Sequence, residues 1–220
     1  MDGSLVHRDT AGHESEIQGG GIQWMTAGRG VEHSETSPPD FLERGGPLEI
    51  LQLWLNLPSS LKMSEPRYIG LQRADIPSFA VDRGHATINL IAGMWDGHAG
   101  PIESLTGVSL MTLELTAQGH VKLPAPHDRT VFLYVVRGEV MIAGQRATAF
   151  QLVDMNHDGD AIEIHAVTDA VVIFGHAAPL HEPIAAQGPF VMNTREEIVQ
   201  AIRDYQAGKF GSAISAAAGR

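Results

Sequence analysis

Short apolar runs, separated by glycine, proline and polar residues, dominate the hydrophobic pattern of this chain. Each run has 5 to 8 residues, and most are rich in β-branched or aromatic side chains. Runs of this length and composition predict β-strands rather than helices. Many short strands favour a sandwich or small barrel over alternating strand–helix units. The runs predicted as strands are 51–55, 86–92, 108–115, 130–136, 139–143 and 170–174.

Glycines mark the predicted turns between these strands. Arg137-Gly138 is expected to close a hairpin between the fourth and fifth runs, and Gly144-Gln145 is expected to close the next one. Glycine suits both places because it adopts positive φ at little steric cost.

A helix is predicted clearly only near the C-terminal end. Thr194 and Glu197 have the T-x-x-E spacing of a capping box. Ile198 and Ile202 then recur on one helical face, and Gly208 is expected to end the helix.

The polar stretch 64–84, which carries two prolines and several charges, is the predicted domain boundary. A boundary near Asp75 divides the chain into an N-terminal domain, 1–74, and a C-terminal domain, 75–220, which includes the helix.

Composition narrows the classes of function. The chain has 220 residues and a net charge of −11, with 15 basic and 26 acidic residues. An acidic chain repels the phosphate backbone, so direct nucleic-acid binding is not expected. There is no cysteine, which excludes disulfides and cysteine-based zinc sites. The polar start is not that of a signal peptide, and no apolar run approaches the ~20 residues of a membrane span. We therefore expect a cytoplasmic protein without a membrane partner.

The candidate chemistry lies in the stretch QWMTAGRGVEHSE, 23–35. Side chains two positions apart in a strand point to the same face, so His33 and Glu35 would aim an imidazole and a carboxylate together. We expect them to converge on an interior metal-binding pocket. Most of the 11 histidines are expected to be bystanders. The similar pair His7-x-Asp9 is expected on a solvated hairpin edge.

Four stretches resemble the pirin family of bicupin proteins: 23–35, LQLWLNLP (51–58), KMSEPRY (62–68) and GPFVMNTREEIVQAI (188–202). The resemblance implies an all-β fold of two cupin barrels, each a double-stranded β-helix, with a C-terminal α-helix. It also implies one Fe(II) or similar divalent metal in the N-terminal cupin, held by three histidines and one glutamate.

The resemblance carries over to only part of that metal site. His33 and Glu35 match the family's His-x-Glu ligands, but the chain has no counterpart of the upstream His-Pro-His-Arg-Gly segment that supplies the other two histidines. A truncated first barrel with an incomplete site, which has lost its metal or binds it weakly, is therefore expected. Three explanations stay open. The gene extends upstream of Met1, the chain is a short variant, or another group completes the site, such as His7, His13 or a partner chain.

The function that the resemblance implies is a metal-dependent dioxygenase of the quercetin 2,3-dioxygenase type, acting on a flavonol-like small molecule. Glu35 would then be both a metal ligand and the catalytic base that takes the flavonol proton. The alternative is a non-catalytic regulator that binds a transcription factor or a metabolic enzyme, for which an acidic surface suits a basic partner. A remnant without function is the third interpretation.

No metal cluster is expected in the C-terminal half, where the family's cupin is metal-free. Its histidines are expected to be surface or packing residues; those considered are His127, His157, His165, His176 and His181.

Overall fold

The computed structural model describes residues 2–211, and most of their regular structure is β-strand, which confirms the predicted all-β class. The two α-helices are α1 (Pro39–Arg44) and α2 (Arg195–Gln206), and 3-10 turns lie at 59–61, 73–75 and 82–84. The strands are β1 (Ser4–Asp9), β2 (Glu14–Gln18), β3 (Ile22–Thr26), β4 (His33–Thr36), β5 (Arg67–Leu71), β6 (Ser78–Val81), β7 (Ala86–Ala92), β8 (Met94–Trp95), β9 (His98–Ala99), β10 (Ser109–Leu115), β11 (His120–Pro124), β12 (Thr130–Arg137), β13 (Glu139–Ile142), β14 (Gln145–Thr148), β15 (Leu152–Asp154), β16 (Ala161–Ala166), β17 (Ala170–Ala177), β18 (Ala185–Gln187) and β19 (Phe190–Met192).

These residues divide into two compact units. The first contains the described residues of Met1–Ala74 and Leu180–Arg220, and the second is Asp75–Pro179. The sequence-based division placed residues after 179 with the second domain, and the structure differs there. The carboxylate of Glu182 accepts hydrogen bonds from the backbone N–H and hydroxyl of Ser59, at 2.6 and 3.2 Å. Such long-range contacts place the C-terminal segment in the first unit.

The second unit holds a six-stranded sheet in the order β15-β12-β17-β10-β7-β6 and a four-stranded sheet in the order β11-β16-β13-β14. Strands β7, β10, β12, β13 and β17 coincide with predicted runs to within a few residues. The core of this unit takes side chains from both sheets, with Leu133 and Phe174 fully buried in the first and Ile164 in the second.

The hairpin predicted at Arg137-Gly138 is wrong. Strand β12 pairs with β15 and β17, whereas β13 pairs with β14 and β16, so the chain passes here from one sheet to the other. Gly138 has φ 79°, and a Cβ placed on it would lie 2.0 Å from the carbonyl oxygen of Asp169. The glycine is required by this close passage of two backbones.

The following hairpin is correct, with its turn one residue earlier than predicted. Strands β13 and β14 pair antiparallel up to Ile142 and Gln145. The two intervening residues, Ala143 and Gly144, have φ of 48° and 77°, as two-residue hairpins of the I′ type require.

Gly138→Ala is expected to destabilise the second unit by about 2–4 kcal/mol, since it adds a steric overlap to the left-handed strain of about 1–2 kcal/mol. Gly144→Ala is the matched control, because Gly144 also has positive φ but none of the described residues comes within 4 Å of its added Cβ. Urea unfolding of both variants measures the difference. Equal losses of stability in the two variants would contradict the close contact.

The first unit contains a three-stranded sheet, β2-β1-β4, and the pairs β3-β5 and β18-β19. The capping box of α2 is confirmed, since the Thr194 hydroxyl accepts from the backbone N–H of Glu197 and the Glu197 carboxylate accepts from that of Thr194.

The strand predicted at 51–55 is wrong. That run has no regular structure, and Trp54 is 62% exposed. Within residues 2–211, neither helix has the length and apolarity that a bilayer crossing needs.

Candidate metal centre

Pairing of β1 with β4 brings four metal-capable side chains to one face of the first unit's sheet. His7 lies directly opposite Glu35, and Asp9 lies opposite His33. Residues opposite each other in an antiparallel pair share a face, as do residues two apart in one strand. The two His/acid pairs of the sequence, 7 with 9 and 33 with 35, therefore face the same way from adjacent strands.

Burial of these side chains is the reverse of what the sequence predicted. His33 and Glu35 are exposed rather than interior, whereas His7 and Asp9 are buried rather than at a solvated edge. The reason is their place in the three-stranded sheet. Strand β1 is central, between β2 and β4, whereas β4 is the outer strand of this sheet.

His7 is the centre of the site. Its side chain is 1% exposed, and its Nε2 lies 3.1 Å from Oδ2 of Asp9. Its ring stacks on that of Tyr68 with centroids 4.0 Å apart, and the ring of His33 lies 5.8 Å away. Its other nitrogen, Nδ1, is buried and has no hydrogen-bond partner among residues 2–211. A buried polar atom without a partner is costly and asks for an explanation.

Asp9 determines which nitrogen of His7 carries the proton. Burial alone raises the pKa of Asp9, but hydrogen bonds from the backbone and ring of His13 and from His7 outweigh it and hold the pKa below its usual value. The ionised carboxylate can only accept, so Nε2 of His7 donates to it. In the neutral imidazole the lone pair is then on Nδ1, which leaves that nitrogen as the one able to bind a metal.

Tyr68, on β5, stacks its ring against one face of the His7 ring. Burial raises the pKa of its phenol, a hydrogen bond of 2.6 Å with the Ser15 hydroxyl opposes this, and the charges of Glu35 and Asp9 add to the rise. The phenol therefore stays neutral at physiological pH. We call His7, Asp9, His13, His33, Glu35 and Tyr68 the His7 cluster.

The donor types of the His7 cluster fit a divalent metal, since imidazole and carboxylate are ligands of iron, zinc and nickel. Its ligand atoms do not all lie at the short mutual distances of a bound ion's ligands. Among the described residues, the one group of three or more whose ligand atoms all lie within 4.8 Å of one another is elsewhere, at His120, Glu163 and His165. The exposed side chains of His33 and Glu35 would have to rotate toward His7.

Sequence reasoning kept His7 open as a substitute ligand, but it missed Asp9 and Tyr68, and it also missed the second group. The C-terminal half, where no metal cluster was expected, has a group of side chains that could hold an ion, because pairing of β11 with β16 places His120 beside residues far along the chain. For the first site a signal existed. His7-x-Asp9 has the same alternation as His33-x-Glu35.

Among the other histidines, His127 and Asp160 form an exposed pair at 2.8 Å, and His176 is a half-buried packing residue. Nε of Arg129 donates to Nδ1 of His176 at 2.6 Å. Burial, followed by the charge of Arg129, lowers the pKa of His176 to about 4.

This depressed pKa predicts a loss of stability in acid. The unfolded chain takes up a proton at His176 near pH 6.5 and the folded chain only near pH 4, so the stabilisation is complete above about 6.5 and is lost as the pH falls through about 4. His176→Gln keeps an acceptor for Arg129 and removes the titration. Urea unfolding across that range should show the wild type losing stability relative to the variant. Parallel curves would contradict the shift.

The comparisons with known proteins agree with this fold. The family model named Pirin matches residues 1–55, and that of the pirin C-terminal cupin domain matches residues 110–211. A pirin-like protein of Caulobacter vibrioides is 39% identical over 212 residues, which cover 96% of this chain and 75% of the relative. The chain belongs to the pirin family. Human pirin is 35% identical over 218 residues, covering 95% of this chain and 71% of the human protein.

A solved structure supports the same assignment. The crystal structure of quercetin 2,3-dioxygenase from Acinetobacter baumannii matches with a TM-score of 0.92 and 34% identity, covering 97% of this chain and 74% of that one. The resemblance found in the four sequence stretches is therefore confirmed, and the fold is that of a pirin cupin protein.

Proposed function

We propose that this pirin is a metal-dependent dioxygenase of the quercetin 2,3-dioxygenase type, which binds a flavonol-like small molecule at the open side of the His7 cluster. The observation that carries the proposal is the shared face of His7, His33 and Glu35 on paired strands. The match to a structure named as a quercetin 2,3-dioxygenase supports the class of substrate. It also favours an oxygenase over the regulatory alternative.

The proposed metal ligands are His33 and Glu35, as the family motif implies, with Nδ1 of His7 as the third. The lack of a hydrogen-bond partner for that buried nitrogen among the described residues supports its role. Fe(II) or a similar divalent ion held there would polarise the substrate's oxygens as a Lewis acid. Of the explanations left open by the sequence, this proposal takes the third, in which His7 completes the site.

The chain's own residues would divide the remaining work. Glu35 is exposed, so a bound substrate can reach it, and its carboxylate would take the flavonol hydroxyl proton. Asp9 holds the His7 ring in one tautomer and one orientation. The Tyr68 ring stacks on the face of His7 and helps to fix the orientation of the imidazole.

The test is a comparison of the full chain with and without metal. Protein stripped of metal and then loaded with Fe(II) without oxygen is given quercetin and air. We expect quercetin loss to match oxygen uptake and to exceed that of the metal-free protein. Iron-loaded protein that is no faster than the stripped protein would overturn the proposal.

A matched variant tests whether iron bound at an exposed histidine elsewhere contributes to turnover. His127 lies in the second unit, where its exposed imidazole is paired with an acidic side chain, so His127→Ala should leave turnover unchanged.

The cytoplasmic location and any protein partner stay predictions from composition and resemblance.

A further inference from the structure

A second set of metal-capable side chains lies on the four-stranded sheet of the second unit. In the β11–β16 ladder, His120 is opposite His165 and Lys122 is opposite Glu163. In both strands, the residues that alternate with these four are buried in the core. The face that carries His120, Lys122, Glu163 and His165 is therefore the outer face of this sheet.

Three of these side chains are close enough to share an ion. One ligand atom each from His120, Glu163 and His165 lies within 4.8 Å of the others. The two imidazole rings stack with centroids 4.3 Å apart and planes 26° from parallel. Nε2 of His120 is buried and has no hydrogen-bond partner in the part of the chain that the structure describes. A cation bound between these groups would satisfy that nitrogen.

The charge of the group also suits a cation. Nζ of Lys122 donates to Oε1 of Glu163 at 3.0 Å, so a positive charge already lies against the carboxylate. Both side chains are exposed, and an exposed ion pair contributes little stability, so an arriving metal can displace the lysine.

We propose that His120, Glu163 and His165 form a second divalent-cation site, on the outer face of the second unit's sheet and outside the His7 cluster. Two imidazoles and one carboxylate are the donor set of many zinc sites, with bonds of about 2.0–2.2 Å, and they leave a coordination position for water. Small side-chain rotations would bring the three donors from their present separations to those of a bound ion. Zn²⁺ is the probe that this chemistry favours.

The sharpest test uses two substitutions that break the same ion pair. Glu163→Gln removes a ligand and should weaken Zn²⁺ binding at this site by more than about tenfold, because loss of an outer-sphere partner alone has effects of that size. Lys122→Gln removes a competing positive charge and should strengthen binding by about fivefold. Both changes remove the same salt bridge, so the loss of that bridge does not by itself account for opposite effects on Zn²⁺ binding.

The readout is the imidazole nitrogen resonances of His120 and His165 in the ¹⁵N-labelled full chain, titrated with Zn²⁺. We expect both residues to shift together in the wild type, while His127 is unaffected. The same shifts should persist in His33→Ala, which makes the result independent of the proposed dioxygenase centre. Absence of these shifts, or equal Zn²⁺ affinities in Glu163→Gln and Lys122→Gln, would overturn the site.

Discussion

Glu35→Gln is expected to lower quercetin turnover by at least about 100-fold, since it removes a proposed metal ligand and the proposed base in one change. The amide has nearly the same shape as the carboxylate, and the wild-type side chain is exposed, so the fold should be retained. Steady-state quercetin loss is compared at matched iron content. This separates weaker metal binding from slower chemistry in the loaded protein.

Glu32→Gln is the control for that experiment. It removes the same charge three positions earlier in the chain, and position 32 is not on the His33–Glu35 face by alternation. Its turnover should equal that of the wild type. If Glu35→Gln is as active as Glu32→Gln at equal iron content, Glu35 is neither the base nor a required ligand.

Phe174→Ala is expected to destabilise the second unit by about 3–5 kcal/mol, the usual cost of removing a buried phenylalanine ring. Phe174 is 0% exposed and lies on β17, where it pairs with Met111 on one side and Leu133 on the other. The surrounding strands are held by ladders on both sides, so the cavity cannot collapse easily. Urea unfolding measures the loss of free energy of unfolding. Hydrogen exchange of the β10 and β17 amides is the second measurement.

Phe150→Ala makes the same chemical change at a side chain that is 76% exposed. Its effect should stay within about 0.5 kcal/mol, as for most surface substitutions. Comparable losses in the two variants would mean that Phe174 does not lie in the core of this unit.

The strands of the second unit were predictable because their signal is local. Runs such as 86–92 and 170–174 are bounded by turn residues, and β7 has the predicted bounds. Strand pairing is not local, which is why Arg137-Gly138 looked like a hairpin. Two consecutive apolar runs on either side of a glycine look the same whether the strands pair with each other or with distant partners.

The candidate site was likewise predictable from the sequence only in its local features. That His33 and Glu35 share a face follows from alternation alone. That Glu35 lies opposite His7 depends on the register between β1 and β4, which no motif within either strand encodes. Burial of His7 follows from the central place of β1, and the equal His-x-acid pattern of the outer strand gave no sign of the difference. His120 and His165 were missed for the same reason.

The central claim is that His7 and His33 bind the same divalent ion, together with Glu35. The direct measurement is the imidazole nitrogen spectrum of the ¹⁵N-labelled full chain as Zn²⁺ is added, read at His7 and His33. We predict that Nδ1 of His7 and one nitrogen of His33 shift at the same Zn²⁺ concentration, and that neither shifts in Glu35→Gln at that concentration. A His7 spectrum that does not change while His33 binds zinc, or no change at either residue, would contradict the account.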